Sequence, residues 1–118
     1  MKPKLMLTIA GVYYVLDGLA GFFMVSGFDF ITYAYSIFCM SLGVLFLIVR
    51  SESASKARDA IFITGFFSSF GVAVVGFYAQ WSGKFIDSPA GYIPVSLWLI
   101  VAIGLFLIGR ANMSTSAR

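Results

Sequence analysis

The sequence predicts an all-α integral membrane protein, a four-helix bundle made of two antiparallel helical hairpins with both termini cytoplasmic. Three observations predict it. Of 118 residues, 60% are hydrophobic and only 11% charged, less than half the roughly 25% charged share of a soluble domain. The apolar residues fall into four runs, at about residues 5–25, 30–49, 60–81 and 92–109. Each is close to the ~20 residues that a helix needs to cross ~30 Å of hydrocarbon. The basic residues lie between these runs and almost all on one side. The chain therefore reads as one transmembrane domain, residues 1–118.

Helices are the expected form of each run because hydrocarbon offers no partner for backbone N–H and C=O groups. Transmembrane strands would need alternating polarity, which these runs lack. The first run, residues 5–25, follows Lys2 and Lys4 as a signal peptide would. It exceeds the usual 7–15-residue apolar region and carries Asp17, so it is expected to be a retained helix. Ser26-Gly27-Phe28-Asp29 is a break too short for anything but a turn, which makes the first two helices an antiparallel hairpin. Residues 50–58, RSESASKAR, form a polar loop. Residues 82–91 make the third connection, in which Ser88 can cap a helix with Pro89 in the first-turn position. Pro94 then falls early in the fourth helix or marks its start. Residues 112–118 form a short polar tail.

Orientation follows from charge. Lys2, Lys4, Arg50, Lys56, Arg58, Arg110 and Arg118 fall on one side of the four runs and only Lys84 on the other. The positive-inside rule makes that side cytoplasmic. Aromatic residues gather at the opposite boundary: Phe28, Phe30, Tyr33, Tyr35, Tyr78, Trp81, Phe85 and Tyr92. With no transit-type leader in view, a bacterial cytoplasmic (inner) membrane is the expected location.

Composition excludes several kinds of chemistry. There is no His and a single Cys, Cys39. One cysteine forms no internal disulfide, and without His there is neither a bis-histidine haem site nor an ordinary zinc site. No metal and no cofactor is expected. The net charge of +3 lies beside membrane segments and does not point to nucleic acid.

Asp17 is the one charged residue inside any of the four runs. A carboxyl at the bilayer centre costs about 2.5–3.5 kcal/mol on insertion scales, so it reads as functional or pairing by default. At ~1.5 Å per residue from Val25 it lies ~12 Å below the outer boundary. Tyr13, Tyr14, Ala20 and Gly21 share its helix face at three or four positions. The phenols of Tyr13 or Tyr14, or a Ser or Thr from a neighbouring helix, are the expected donors. As a neutral acid Asp17 can stitch helices together. As an ionisable group it can bind a proton, a metal cation or a cationic substrate. A partner chain could also supply a Lys or Arg for it.

Two stripes of small residues mark close helix packing. Gly11, Gly18 and Gly21 form one on the first helix; Gly65, Ser69, Ala73 and Gly76 form the other on the third, with Gln80 extending it outward. The expected meaning is packing of the first helix on the third. Ser36, Cys39 and Gly43 share a stripe on the second helix, and Cys39 reads as a buried, inert thiol. Trp81 reads as an interface anchor and Trp98 as a packing ring. Asp29, Lys84 and Asp87 could form a polar cap on the outer side. LFLIVR at residues 45–50 reappears as LFLIGR at 105–110, and Ser36 and Ser96 keep the same spacing to these. Either the hairpins are parallel repeats or a small apolar alphabet has matched by chance.

Two resemblances bear on this layout. The chain resembles the small multidrug resistance transporters in length, in four helices and in one membrane carboxylate on the first. Asp17 stands where those proteins use Glu, and YAQWSG at 78–83 and YIP at 92–94 are similar to parts of their aromatic pattern, out of order. Their dual-topology assembly needs balanced charge, and the seven-to-one bias here sets that likeness aside. The segment GVYYVLDGLAG at residues 11–21 and the paired hairpins are similar to DoxX-like small four-helix bacterial membrane proteins. That resemblance implies a fold more than an activity.

The functional expectation is a non-enzymatic accessory or structural subunit. It would contact the lipid bilayer and a larger membrane protein, or further copies of itself, with Asp17 as a buried polar lock. The alternatives are a proton- or cation-coupled carrier using Asp17 with Tyr13 and Tyr14, and a binder of a lipid or hydrophobic cofactor. A lone carboxylate without a second acid, nucleophile, metal or phosphate loop makes no recognisable active site.

Overall fold

In the computed structural model, residues 2–23 and 30–113 are described. All regular structure among them is helical: α1 (Pro3–Phe23), α2 (Phe30–Val49), α3 (Lys56–Trp81), a 3-10 turn (Pro89–Gly91) and α4 (Tyr92–Ala111). Four helices are long and apolar enough to cross a membrane. The expected break at Ser26-Gly27-Phe28-Asp29, the helix end at Val25 and the terminal Arg118 lie outside the described residues. The chain divides into two compact units, Met1–Ser53 and Ala54–Arg118, each a pair of helices.

In the first unit α1 begins at Pro3, whose missing N–H costs nothing in a first turn. Its buried residues are Met6, Leu7, Ala10, Gly11, Tyr14 and Gly18, a 3–4 spacing that makes one stripe. The stripe closes on α2 with little room between backbones. A Cβ on Gly43 would stand 2.7 Å from the Gly11 carbonyl oxygen and 2.9 Å from the Val15 nitrogen. A Cβ on Gly11 would stand 2.9 Å from the Gly43 carbonyl oxygen. Gly18 meets Met40, and Gly21 meets the Ser36 hydroxyl, in the same way. The stripe expected to receive the third helix is thus filled by α2. Above the glycine contact, the Tyr14 ring meets Phe46 edge to face, with centroids 4.9 Å apart.

In the second unit α3 starts at Lys56, four residues before the apolar run, because Ser55 caps it. The Ser55 side chain accepts a hydrogen bond from Arg58 N at 3.1 Å, satisfying a first-turn donor. Arg58 is itself buried, and its Nη2 donates to the Asn112 carbonyl oxygen at 2.7 Å, tying the start of α3 to the end of α4. At the other end, Gly83 N donates to Gln80 O and Lys84 N to Ala79 O, the two bonds of a Schellman motif. Gly83 has φ +77, the left-handed conformation that favours glycine there. Ser88 caps the 3-10 turn, accepting from Ala90 N, with Pro89 in first position. Pro94 is the third residue of α4, within the first turn where its lack of an N–H is tolerated. Gly76 packs on Val95, whose Cγ2 lies 3.0 Å from where a Cβ would stand.

The echoed hexapeptide is not used alike in the two units. Leu45 is exposed and Phe46 buried, whereas Leu105 is buried and Phe106 exposed. Equivalent letters therefore face different surroundings, and the likeness of the strings does not extend to their packing.

Candidate functional site

Asp17 lies on α1, one turn before the Gly21 contact, and is half-buried. Two contacts reach it from α2. The Tyr35 hydroxyl donates to Asp17 Oδ2 at 3.1 Å. The Cys39 thiol donates to the Tyr14 carbonyl oxygen at 3.2 Å, and its sulfur stands 3.9 Å from the same Asp17 oxygen. Tyr35 and Cys39 are four residues apart, so both project from one face of α2. Tyr14 and Asp17 are three apart and face them from α1. The result is a carboxylate, a phenol and a thiol gathered between two helices of one hairpin.

The Tyr14 ring is buried against Phe46, and it is the Tyr14 backbone carbonyl that enters the cluster. Tyr13 is half-buried one turn before Asp17. Tyr35, expected as one member of the outer aromatic belt, is the residue that reaches the carboxylate. Cys39, expected to be a buried, inert thiol, is buried and borders it.

A signal for this arrangement was present in the numbering. In an antiparallel hairpin, residues equally far from the turn lie at equal depth. The midpoint between Asp17 and Tyr35 falls at residue 26, and that between Tyr14 and Cys39 falls between 26 and 27. Both coincide with the Ser26-Gly27 break. Reflecting Asp17 about that break points to Tyr35 and Ser36.

Chemically, the cluster can hold a carboxylate or a carboxylic acid in place. A phenolic donor to the carboxylate restricts its rotamer and satisfies one of its acceptor sites. Among the described residues, no three His, Cys, Asp or Glu side chains are grouped so as to hold a metal ion.

Gln80 is a second polar position. It is buried, and its Nε2 donates to the Ile86 and Ser88 carbonyl oxygens at 3.0 and 2.8 Å, while Ile86 N donates to its Oε1 at 3.1 Å. The side chain continues the buried stripe of Gly65, Ser69 and Ala73 outward and, at its end, latches the connection between α3 and α4. Gly91 leaves room for it, since a Cβ there would meet the Gln80 amide. On the third helix Gly65, Ser69 and Ala73 are buried on one face. Lys84 and Asp87 are exposed, and Asp29, the remaining member of the expected polar cap, lies outside the described residues. Trp98 is buried and Trp81 exposed. The chain matches no protein-family model, no curated protein and no solved structure.

Proposed function

We propose that this chain is a small multi-pass membrane protein acting as a non-enzymatic accessory or structural subunit through helix contacts inside the bilayer. The observation that carries this reading is the engagement of Asp17 within its own hairpin, by Tyr35 at 3.1 Å. A carboxyl shared between two helices in this way acts as a polar lock, because hydrocarbon gives it no alternative partner. Most of what meets the surroundings along the helices is apolar. Phe38 and Ile48 on α2, Phe67 and Val75 on α3, and Ile100 and Leu107 on α4 are all exposed. A surface this apolar suits lipid and the helices of other membrane proteins.

Both termini are proposed to be cytoplasmic on the seven-to-one distribution of basic residues, and the membrane to be a bacterial cytoplasmic one, where that bias operates. The likeness of residues 11–21 to DoxX-like proteins supports that placement at the level of fold only. The test is photo-crosslinking in native membranes, with a photoreactive residue at Phe38 and, separately, at Val75. Adducts of one discrete added polypeptide mass, different from the chain's own 12.9 kDa, support the subunit reading. Adducts with lipid alone at both positions would sink it.

A second reading, a proton- or cation-coupled carrier, is favoured by one observation. Asp17 is only half-buried and Tyr35 keeps 39% of its surface exposed, so the polar pair reaches the surface of the hairpin. Here Asp17→Asn abolishes pH-dependent ligand binding while the helical content is kept. Purified protein without any pH-dependent binding removes this reading.

A further inference from the structure

The end of the second unit where α3 passes into α4 is apolar on its outside and hydrogen-bonded on its inside. Trp81, the last residue of α3, keeps 77% of its surface exposed, and Phe85 in the connection keeps 51%. Tyr78, three residues before Trp81 and on its helix face, is exposed, as are Tyr92 and Ile93 at the start of α4. The main chain of the connection takes its partners from the protein. Ser82 N donates to Tyr78 O, Gly83 N to Gln80 O, Lys84 N to Ala79 O and Gly91 N to Ser88 O. Ile86 N donates to Gln80 Oε1, and the Ile86 and Ser88 carbonyl oxygens accept from Gln80 Nε2. Ala90 N donates to Ser88 Oγ, and Pro89 has no N–H to satisfy. A loop standing in water can leave such groups to the solvent. Pairing them within the chain is what surroundings of low polarity demand.

Two charges limit how deep this segment can lie. Lys84 and Asp87 flank Phe85 and are exposed, and neither enters hydrocarbon cheaply. The flexible lysine stem lets its ammonium reach the phosphates while neighbouring rings lie lower. The level that suits both the rings and the charges is the boundary between headgroups and acyl chains, where Trp and Tyr concentrate. The connection between α2 and α3 is a contrast, since residues 50–55, RSESAS, contain no aromatic residue. We propose that the α3–α4 connection is a lipid-binding segment lying in the headgroup layer at its end of the helix pair. The Trp81 and Phe85 rings enter the headgroup–acyl boundary by roughly 5–10 Å, and Lys84 meets the phosphates. The inference rests on residence in a membrane but not on the accessory role.

The test places a nitroxide label at Phe85→Cys and, separately, at Ser53→Cys in the α2–α3 connection. The full chain carries Cys39→Ser and is reconstituted in vesicles of phosphatidylcholine and phosphatidylglycerol. Where Cys39→Ser does not fold, the parent background serves, because its thiol is buried and escapes labelling. Power-saturation electron paramagnetic resonance compares collisions with oxygen, which concentrates in hydrocarbon, and with a nickel chelate, which stays in water. The oxygen-to-nickel ratio at Phe85 is expected to exceed that at Ser53 by about threefold or more. A ratio at Phe85 no higher than at Ser53 would overturn the proposal by placing the connection in water. Few collisions with either reagent at Phe85 would overturn it too, by assigning the surface to a second copy of the chain. Loss of the chain from carbonate-washed membranes would refute membrane residence itself, a failure distinct from those two.

Discussion

Replacing Tyr35 with Phe removes one hydroxyl from the first hairpin and leaves the ring in place. The structure allows the cost to be bounded. The bond to Asp17 is 3.1 Å long, slightly beyond the usual 2.5–3.0 Å of an O–H···O bond, so nothing in its geometry places it above the range measured for its class. Hydrogen bonds between membrane helices average about 0.6 kcal/mol and reach about 1.7 kcal/mol. The Cys39 sulfur, 3.9 Å from the same oxygen, is too distant and too weak a donor to replace the phenol. The direct term is best isolated by a double-mutant cycle of Tyr35→Phe and Asp17→Leu. The coupling energy is predicted to be about 0.6–1.7 kcal/mol, a factor of roughly 3 to 18 in the unfolding equilibrium. Far-UV circular dichroism during titration of mild-detergent micelles with a denaturing detergent reads it. Asp17→Leu alone is expected to behave differently from Asp17→Asn, because Asn still accepts from Tyr35. A coupling energy indistinguishable from zero, with both single variants as stable as the parent, would refute the lock.

Three further outcomes follow from the same geometry. Gly43→Ala places a methyl under 3.0 Å from two backbone atoms of α1, which cannot rotate away, so overpacking is expected to destabilise the hairpin by about 1–3 kcal/mol; stability within error of the parent in the same detergent titration removes the close-approach argument. Gln80→Leu deletes three hydrogen bonds to the connection between α3 and α4, and the Ile86 amide should then exchange its hydrogen at least about tenfold faster; an unchanged rate would show that the loop holds itself. In a Cys39→Ser background, a cysteine at Ser53 should be reached by a membrane-impermeant thiol reagent only from the cytoplasmic side, and one at Ile86 only from the opposite side; the reverse pattern inverts the proposed orientation.

Much of the architecture was legible because it depends on period and punctuation. The apolar runs located four helices, and the Ser88-Pro89 pair marked where the fourth is approached. The start of α3 was less legible. Hydropathy begins at Ala60, but the hydrogen-bonded helix extends back to Lys56 because Ser55 supplies a cap, and a cap is a matter of local geometry and not of hydrophobicity. The small residues Gly11, Gly18 and Gly21 announced a close approach, but the third helix was expected there and the second fills it. A stripe of glycines describes one surface only, and the complementary surface on α2, built of Ser36, Met40 and Gly43, carries fewer signs. Asp17 was visible as the lone carboxyl inside an apolar run, and donors were sought in Tyr13, Tyr14 or a Ser or Thr of a neighbouring helix, not in a tyrosine of the second. Tyr35 is eighteen residues away in sequence and adjacent only once the hairpin closes. Gln80 was legible as the outward step of a stripe, but its latch role was not, because it lies in the carbonyl oxygens it meets, which a sequence of side chains does not display.

The most direct test of the central claim is the mass and composition of the native particle, extracted from its own membrane in mild detergent and read by native mass spectrometry. The account predicts this chain together with at least one different polypeptide in fixed ratio, a complex that survives Asp17→Asn because that residue is engaged within its own hairpin. A particle consisting of this chain alone, as monomer or homo-oligomer, would contradict the subunit reading and move the weight to a carrier built around Asp17.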